Sequence, residues 1–127
     1  MTRSEKRIRR LVVGEETFLW SVRHSHRRDE QGRNVDCAET LTLRRHGARG
    51  RLRLVFRDRP GKLVPDGYPM FSGAVGTVDG PLLNLHEPGT VRAALDEALA
   101  RGWDPDEPSG LELDGWAVFE AVAARRA

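Results

Sequence analysis

Residues 51–57 read RLRLVFR, an alternation of apolar and basic side chains broken only at Val55. Period two is the mark of a β-strand with one face in a core and the other in water, because successive strand side chains point to opposite faces. Leu52, Leu54 and Phe56 should therefore point inward, and Arg51, Arg53 and Arg57 outward. The same period runs back through the N-terminal half. ETLTLRRH (39–46) puts Leu41 and Leu43 on one side and Thr40, Thr42 and Arg44 on the other. TFLWSVRHS (17–25) sets Phe18, Trp20 and Val22 against Thr17, Ser21 and Arg23, and RIRRLVV (7–13) precedes it across a turn at Gly14–Glu15. RRDEQGRN (27–34) reads as a polar loop, and GARG (47–50) as a four-residue hairpin connection. A regular hairpin there pairs Leu43 with Leu54, Leu41 with Phe56, Arg44 with Arg53 and His46 with Arg51.

Beyond residue 57 the alternation stops. Residues 58–81 hold five Gly and four Pro, a composition that predicts an irregular loop, with AVGTV (74–78) and LLNL (82–85) as candidate short edge strands. The pattern then changes to helical. In 87–102, Val91, Ala94, Leu95, Ala98 and Leu99 recur at i, i+3, i+4, i+7 and i+8, with Pro88 in the first turn. That helix ends in ALARGWDP (98–105). Gly102 falls where a left-handed glycine closes a helix, Trp103 at the next position, which folds back onto the last turn, and Pro105 where it stops the helix resuming. Trp103 is thus expected to be structural and not a ligand reader. A last helix over 114–126 is predicted from Asp114 as N-cap, an alanine-rich tail, and Arg125 and Arg126 at its C-terminal end; a hairpin through Asp114–Gly115 competes with it. The expected fold is an α+β single domain over 1–127. It comprises a mainly antiparallel sheet of four to five strands from 7–57, a loop over 58–81, and helices at 87–102 and 114–126 packed on one face.

NLHEP (84–88), GWDP (102–105) and LELDGW (111–116) resemble a group of small bacterial proteins with no assigned activity. Asn84, Leu85, Pro88, Gly102, Trp103, Pro105, Asp114 and Gly115 carry the resemblance, which covers roughly residues 7–120. The chain departs from it at Trp116, where that group has an aliphatic residue. The resemblance implies N-terminal strands followed by two helices, and brings no activity, cofactor or site residue with it.

The charge is lopsided. Residues 1–63 carry 17 basic and 8 acidic side chains and residues 64–127 carry 4 and 11, so the halves are +9 and −7 within a total of +2. Nineteen of the 21 basic residues are Arg, a bias that fits a GC-rich bacterial genome and need not be functional. Opposed halves either neutralise each other in one fold or present a basic face to an acidic partner. Arg44, Arg51, Arg53 and Arg57 are the candidate binding residues of such a face. Like charges directly opposed across strands cost stability, so such a face needs either nearby carboxylates or an anionic partner. The expected function is non-enzymatic binding of an acidic protein surface, with nucleic acid as the alternative partner. The outward face lacks the aromatics on which single-stranded bases stack, since Phe18, Trp20 and Phe56 point inward.

Enzymatic readings are poorly supplied. His24 and His26 share a strand face and could recruit Cys37 or His86 to a metal, but no CxxC or HxxxH spacing is present. Ser72 lacks the flanks of a nucleophile elbow, and GAVGTVDG (73–80) fits neither nucleotide-binding glycine pattern. The carboxylates Asp104, Asp106, Glu107, Glu112 and Asp114 read as a solubilised loop. A small hydrolase or metal-dependent enzyme using the 58–81 loop is the third alternative, and the motifs imply no cofactor. A single cysteine, a charged N-terminus without an apolar stretch, and no run long enough to span a bilayer point to a cytoplasmic protein.

Overall fold

The computed structural model describes residues 7–65 and 70–127. The chain runs β1 (Arg9–Val13), β2 (Glu16–Arg28), β3 (Asn34–Arg45), β4 (Arg51–Arg57), β5 (Lys62–Leu63), β6 (Ala74–Thr77), β7 (Leu82–Asn84), α1 (Pro88–Ala100), β8 (Leu111–Asp114) and α2 (Gly115–Arg126). The fold is α+β, as its patterning implies. A five-stranded sheet has the order β1-β2-β3-β4-β8, antiparallel except where β8 joins β4 in parallel. A smaller antiparallel sheet, β5-β6-β7, contains both candidate edge strands, β6 within AVGTV and β7 within LLNL, and adds β5 from the segment expected to be a loop. Strands thus enter the Gly/Pro-rich 58–81 stretch at Lys62–Leu63 and Ala74–Thr77; residues 66–69 of that stretch lie outside the described residues.

Alternation decides the sheet's two faces. Phe18, Trp20, Leu41, Leu43, Leu52, Leu54 and Phe56 are all buried and join one core with Val91, Leu95, Val118, Phe119 and Val122. Both helices therefore lie on this leucine face. The β1–β2 turn is tight because Gly14, at φ +62°, takes the first central position that favours glycine. β2 and β3 extend further than the sequence suggested, reaching Arg28 and starting from Asn34, so the expected 27–34 loop shrinks to the tip of a ribbon.

The β3–β4 register differs from the regular hairpin by two residues. Leu43 pairs with Leu52, Leu41 with Leu54, Thr42 with Arg53, and Arg44 with Arg51. A shift of two keeps every side chain on its face, so the core is unaffected. The connection is longer because its residues are engaged elsewhere. The His46 N–H donates to the Thr17 carbonyl, which prolongs the β2 pairing, and the Gly50 N–H donates to the Pro105 carbonyl.

Helix α1 ends as its sequence indicates. Gly102 sits at φ +100°, its N–H donates to Leu99 O at 3.1 Å, and the Trp103 N–H donates to Ala98 O at 3.0 Å. Those two bonds define a Schellman cap. The Trp103 ring, 4% exposed, packs against Phe18 at 6.2 Å between centroids. Of the predicted stripe only Leu99 faces out, at 42% exposure. Residues 114–126 form the helix and not the competing hairpin, with the Asp114 carboxylate accepting from the Trp116 N–H at 3.0 Å.

Candidate functional site

The solvent face of the main sheet is a grid set by the strand register. Arg10, Leu19, Arg44 and Arg51 form one row across β1 to β4. Ser21, Thr42, Arg53 and Glu112 form the next, and Arg23, Thr40, Val55 and Asp114 the one after. Ala38 and Arg57 follow. Rows lie about 7 Å apart along the strands and neighbours in a row about 5 Å apart. The four expected binding residues, Arg44, Arg51, Arg53 and Arg57, thus share one face with Arg10 and Arg23. Among the described residues no helix covers it, since α1 and α2 pack on the opposite side.

The acidic C-terminal half still reaches this face, by a route the sequence did not disclose. LELD, expected as part of a solubilised loop, is strand β8, and it sets carboxylates at the sheet edge. Arg53 pairs with Glu112 at 2.8 Å and Arg59 with Asp114 at 2.9 Å, while Arg45 pairs with Asp106. Neutralisation therefore claims Arg53 from the expected set. Among the described residues, Arg10, Arg23, Arg44, Arg51 and Arg57 have no carboxylate within ion-pair distance. The expected opposition of Arg44 and Arg53 is corrected to one of Arg44 and Arg51.

That difference has a measurable sign. Arg44→Thr removes a like-charge neighbour of Arg51 and should raise stability at low salt by up to about 1 kcal/mol, the scale of a cross-strand pair. Arg53→Thr loses an ion pair that is about half exposed on both sides, 52% and 51%, and should cost up to about 1 kcal/mol. Thermal melts at low and high salt check both, and the two effects should converge toward zero as salt screens them. A drop in melting temperature for Arg44→Thr at both salts would mean that the Arg44 guanidinium anchors the fold.

Other chemistry-bearing residues form two separate places. The His24 ring lies 5.4 Å from that of His26, tilted by 46°, and its Nδ1 is 2.5 Å from Oε1 of Glu39, which is fully buried. Sequence reading missed Glu39, yet the parity of ETLTL puts it on the leucine face, directly opposite His24 in the register. His86 sits elsewhere, against Gly73, with its Nε2 3.4 Å from the Ser72 hydroxyl. Among the described residues no group of three His, Cys, Asp or Glu suited to a metal occurs, so His24, His26, Cys37 and His86 do not assemble one there. Ser72 and His86 make no triad either: among the described residues no carboxylate hydrogen-bonds the imidazole.

Partial burial first, and then the charges of Arg9 and Arg7, hold the His86 imidazole below its ordinary pKa. The unfolded ring takes a proton near pH 6.5 and the folded ring only below that. Stability should therefore fall as pH drops through about 6.5, and level off once the folded ring is also protonated. His86→Gln should shrink that fall, as read from denaturation midpoints between pH 7.5 and pH 5; an unchanged pH slope would show that the imidazole titrates normally.

Among the described residues no helix is long and apolar enough to cross a membrane. No family model, curated protein or solved structure matches the chain, so the functional reading rests on these side chains.

Proposed function

We propose that this protein is a non-enzymatic binding protein whose solvent-facing arginine sheet docks an acidic surface of another protein. The observation that carries it is the Arg44–Arg51 pair, directly opposed on an uncovered face with no carboxylate in ion-pair reach among the described residues. Opposed guanidinium groups raise the free energy of the sheet on its own, and an anionic partner turns that cost into affinity. Arg presents a rigid planar fork that matches carboxylates two bonds at a time. The same face carries apolar residues at its β1 side. Ile8 and Val12 are 61% and 67% exposed, and Ile8 and Leu19 line one shallow depression with Arg44 and Arg51. Arginine beside exposed aliphatic residues is the composition of a protein interface, not of a nucleic-acid groove, and among the described residues the face offers no exposed aromatic ring for a base.

The test compares poly-glutamate with single-stranded and duplex oligonucleotides over a salt series. Poly-glutamate should bind with an affinity that falls as salt rises, and Arg44→Thr with Arg51→Thr together should weaken it by about tenfold or more. Tighter binding of an oligonucleotide, lost in the same double variant, would replace the acidic-protein reading with a nucleic-acid one.

A further inference from the structure

We propose that a hollow in this face binds a phosphomonoester dianion. It is a depression of about 320 Å³ lined by Arg23, Ser25, Thr40, Thr42, Arg51 and Arg53. Among the described residues the lining contains no carboxylate and no aliphatic side chain. Every group in it is a guanidinium or a hydroxyl, and each can donate a hydrogen bond.

The register explains the shape. Thr42 lies between Ser21 on β2 and Arg53 on β4, and Thr40 between Arg23 on β2 and Val55 on β4. Short hydroxyl side chains on the central strand make a floor, while the longer arginines on the flanking strands and the next row make a rim. Arg23 and Arg51 are exposed, without a carboxylate partner among the described residues, and free to swing over the floor. Arg53 is held by Glu112 through one terminal nitrogen, Nη1, at 2.8 Å, which leaves its other N–H groups for a ligand.

A concave site of donors alone selects for charge and for the number of acceptor oxygens. A phosphomonoester carries about two negative charges near neutral pH and three terminal oxygens, enough to use the threonine floor and the arginine rim together. A carboxylate has one charge and two oxygens and leaves part of this donor set unused. A phosphodiester has a single charge and continues on both sides, so it suits a groove more than a hollow. The proposal rests on reading the arginine face as an anion-binding surface, and it names a phosphorylated serine or threonine of the partner as the group seated there.

Titration with inorganic phosphate at constant ionic strength, followed by amide NMR, tests the site alone. Saturable shifts centred on Thr40, Thr42 and Arg53, absent with chloride or acetate, are expected. Thr42→Val, at a partly exposed strand position, should weaken phosphate by several-fold with a melting temperature near that of the parent. Arg51→Gln, at an exposed one, should weaken it as much without lowering the melting temperature, since it also relieves the repulsion with Arg44. Shifts spread evenly over all the basic residues, or equal with acetate, would overturn the proposal. A phosphoserine peptide that binds about tenfold or more tighter than both free phosphate and its aspartate counterpart assigns the source to a protein side chain; equal affinity of peptide and free phosphate would overturn that assignment. Poly-glutamate separates the two readings. If it binds and phosphate does not, the hollow fails and the acidic-surface reading survives; if phosphate binds and poly-glutamate does not, the reverse holds.

Discussion

Trp103→Ala should lower the unfolding free energy by about 3–5 kcal/mol, the range for truncating a packed core aromatic. The ring is 4% exposed and closes the core against Phe18, at the point where α1 stops. The two capping bonds come from backbone groups, so the alanine variant keeps the cap and loses the packing it was aimed at. Trp103→Phe should cost much less. The indole Nε1 is buried with no hydrogen-bond partner among the described residues, so phenylalanine removes ring volume together with an unsatisfied donor. Chemical denaturation measures both, and poly-glutamate or phosphate affinity, read well below the midpoint, should not move. An unchanged midpoint with lost binding would make Trp103 a ligand contact and reverse the structural assignment.

Particular residues show how far the sequence could be read. RLRLVFR and ETLTLRRH are legible because side-chain parity on a strand does not depend on partners, and parity survives the two-residue register error intact. ALARGWDP is legible for a related reason: a Schellman cap is a local device, determined by a glycine and its neighbours. The register itself was not legible, because it depends on Gly50 bonding to Pro105, a contact 55 residues away in sequence. β8 escaped for the same kind of reason. LELD alternates apolar and acidic residues, but over four positions only, and it becomes a strand because β4 offers it a free edge in parallel. With β8 missing, the partner of Arg53 was missing too, so one of four expected site residues was assigned the wrong surroundings. Lys62–Leu63 was hidden by the Gly and Pro around it, since composition reports backbone freedom and not the pairing that uses it, whereas AVGTV and LLNL could be read as short strands. The outward direction of Arg44, Arg51, Arg53 and Arg57 was legible in full. The hydroxyl floor beneath them was present in the letters, but it becomes a hollow only once three strands lie side by side.

Gly110→Ala should be the most informative single change at that junction, with an expected cost of about 2–4 kcal/mol. Gly110 holds φ +71°, which an alanine adopts only with strain, and a Cβ there would sit 2.7 Å from the Arg51 carbonyl oxygen. Backbone at that distance cannot turn aside as a side chain could, so relief requires β8 to move off β4. Gly102→Ala is the control. Its φ of +100° is also left-handed, but a Cβ there meets nothing within 4 Å, so only the conformational cost of about 1 kcal/mol remains. The difference between the two variants thus isolates the clash from the strain. The clash should also reach the functional face, because Glu112 lies two residues past Gly110 and is what neutralises Arg53. Displacing β8 releases that guanidinium, so Gly110→Ala, although less stable, should bind phosphate or poly-glutamate at least as tightly as the parent at temperatures where it remains folded. Equal costs for Gly110→Ala and Gly102→Ala would show that β8 is not pressed against Arg51. A fall in anion affinity on Gly110→Ala would show that Glu112 orients Arg53 for its ligand instead of competing with it.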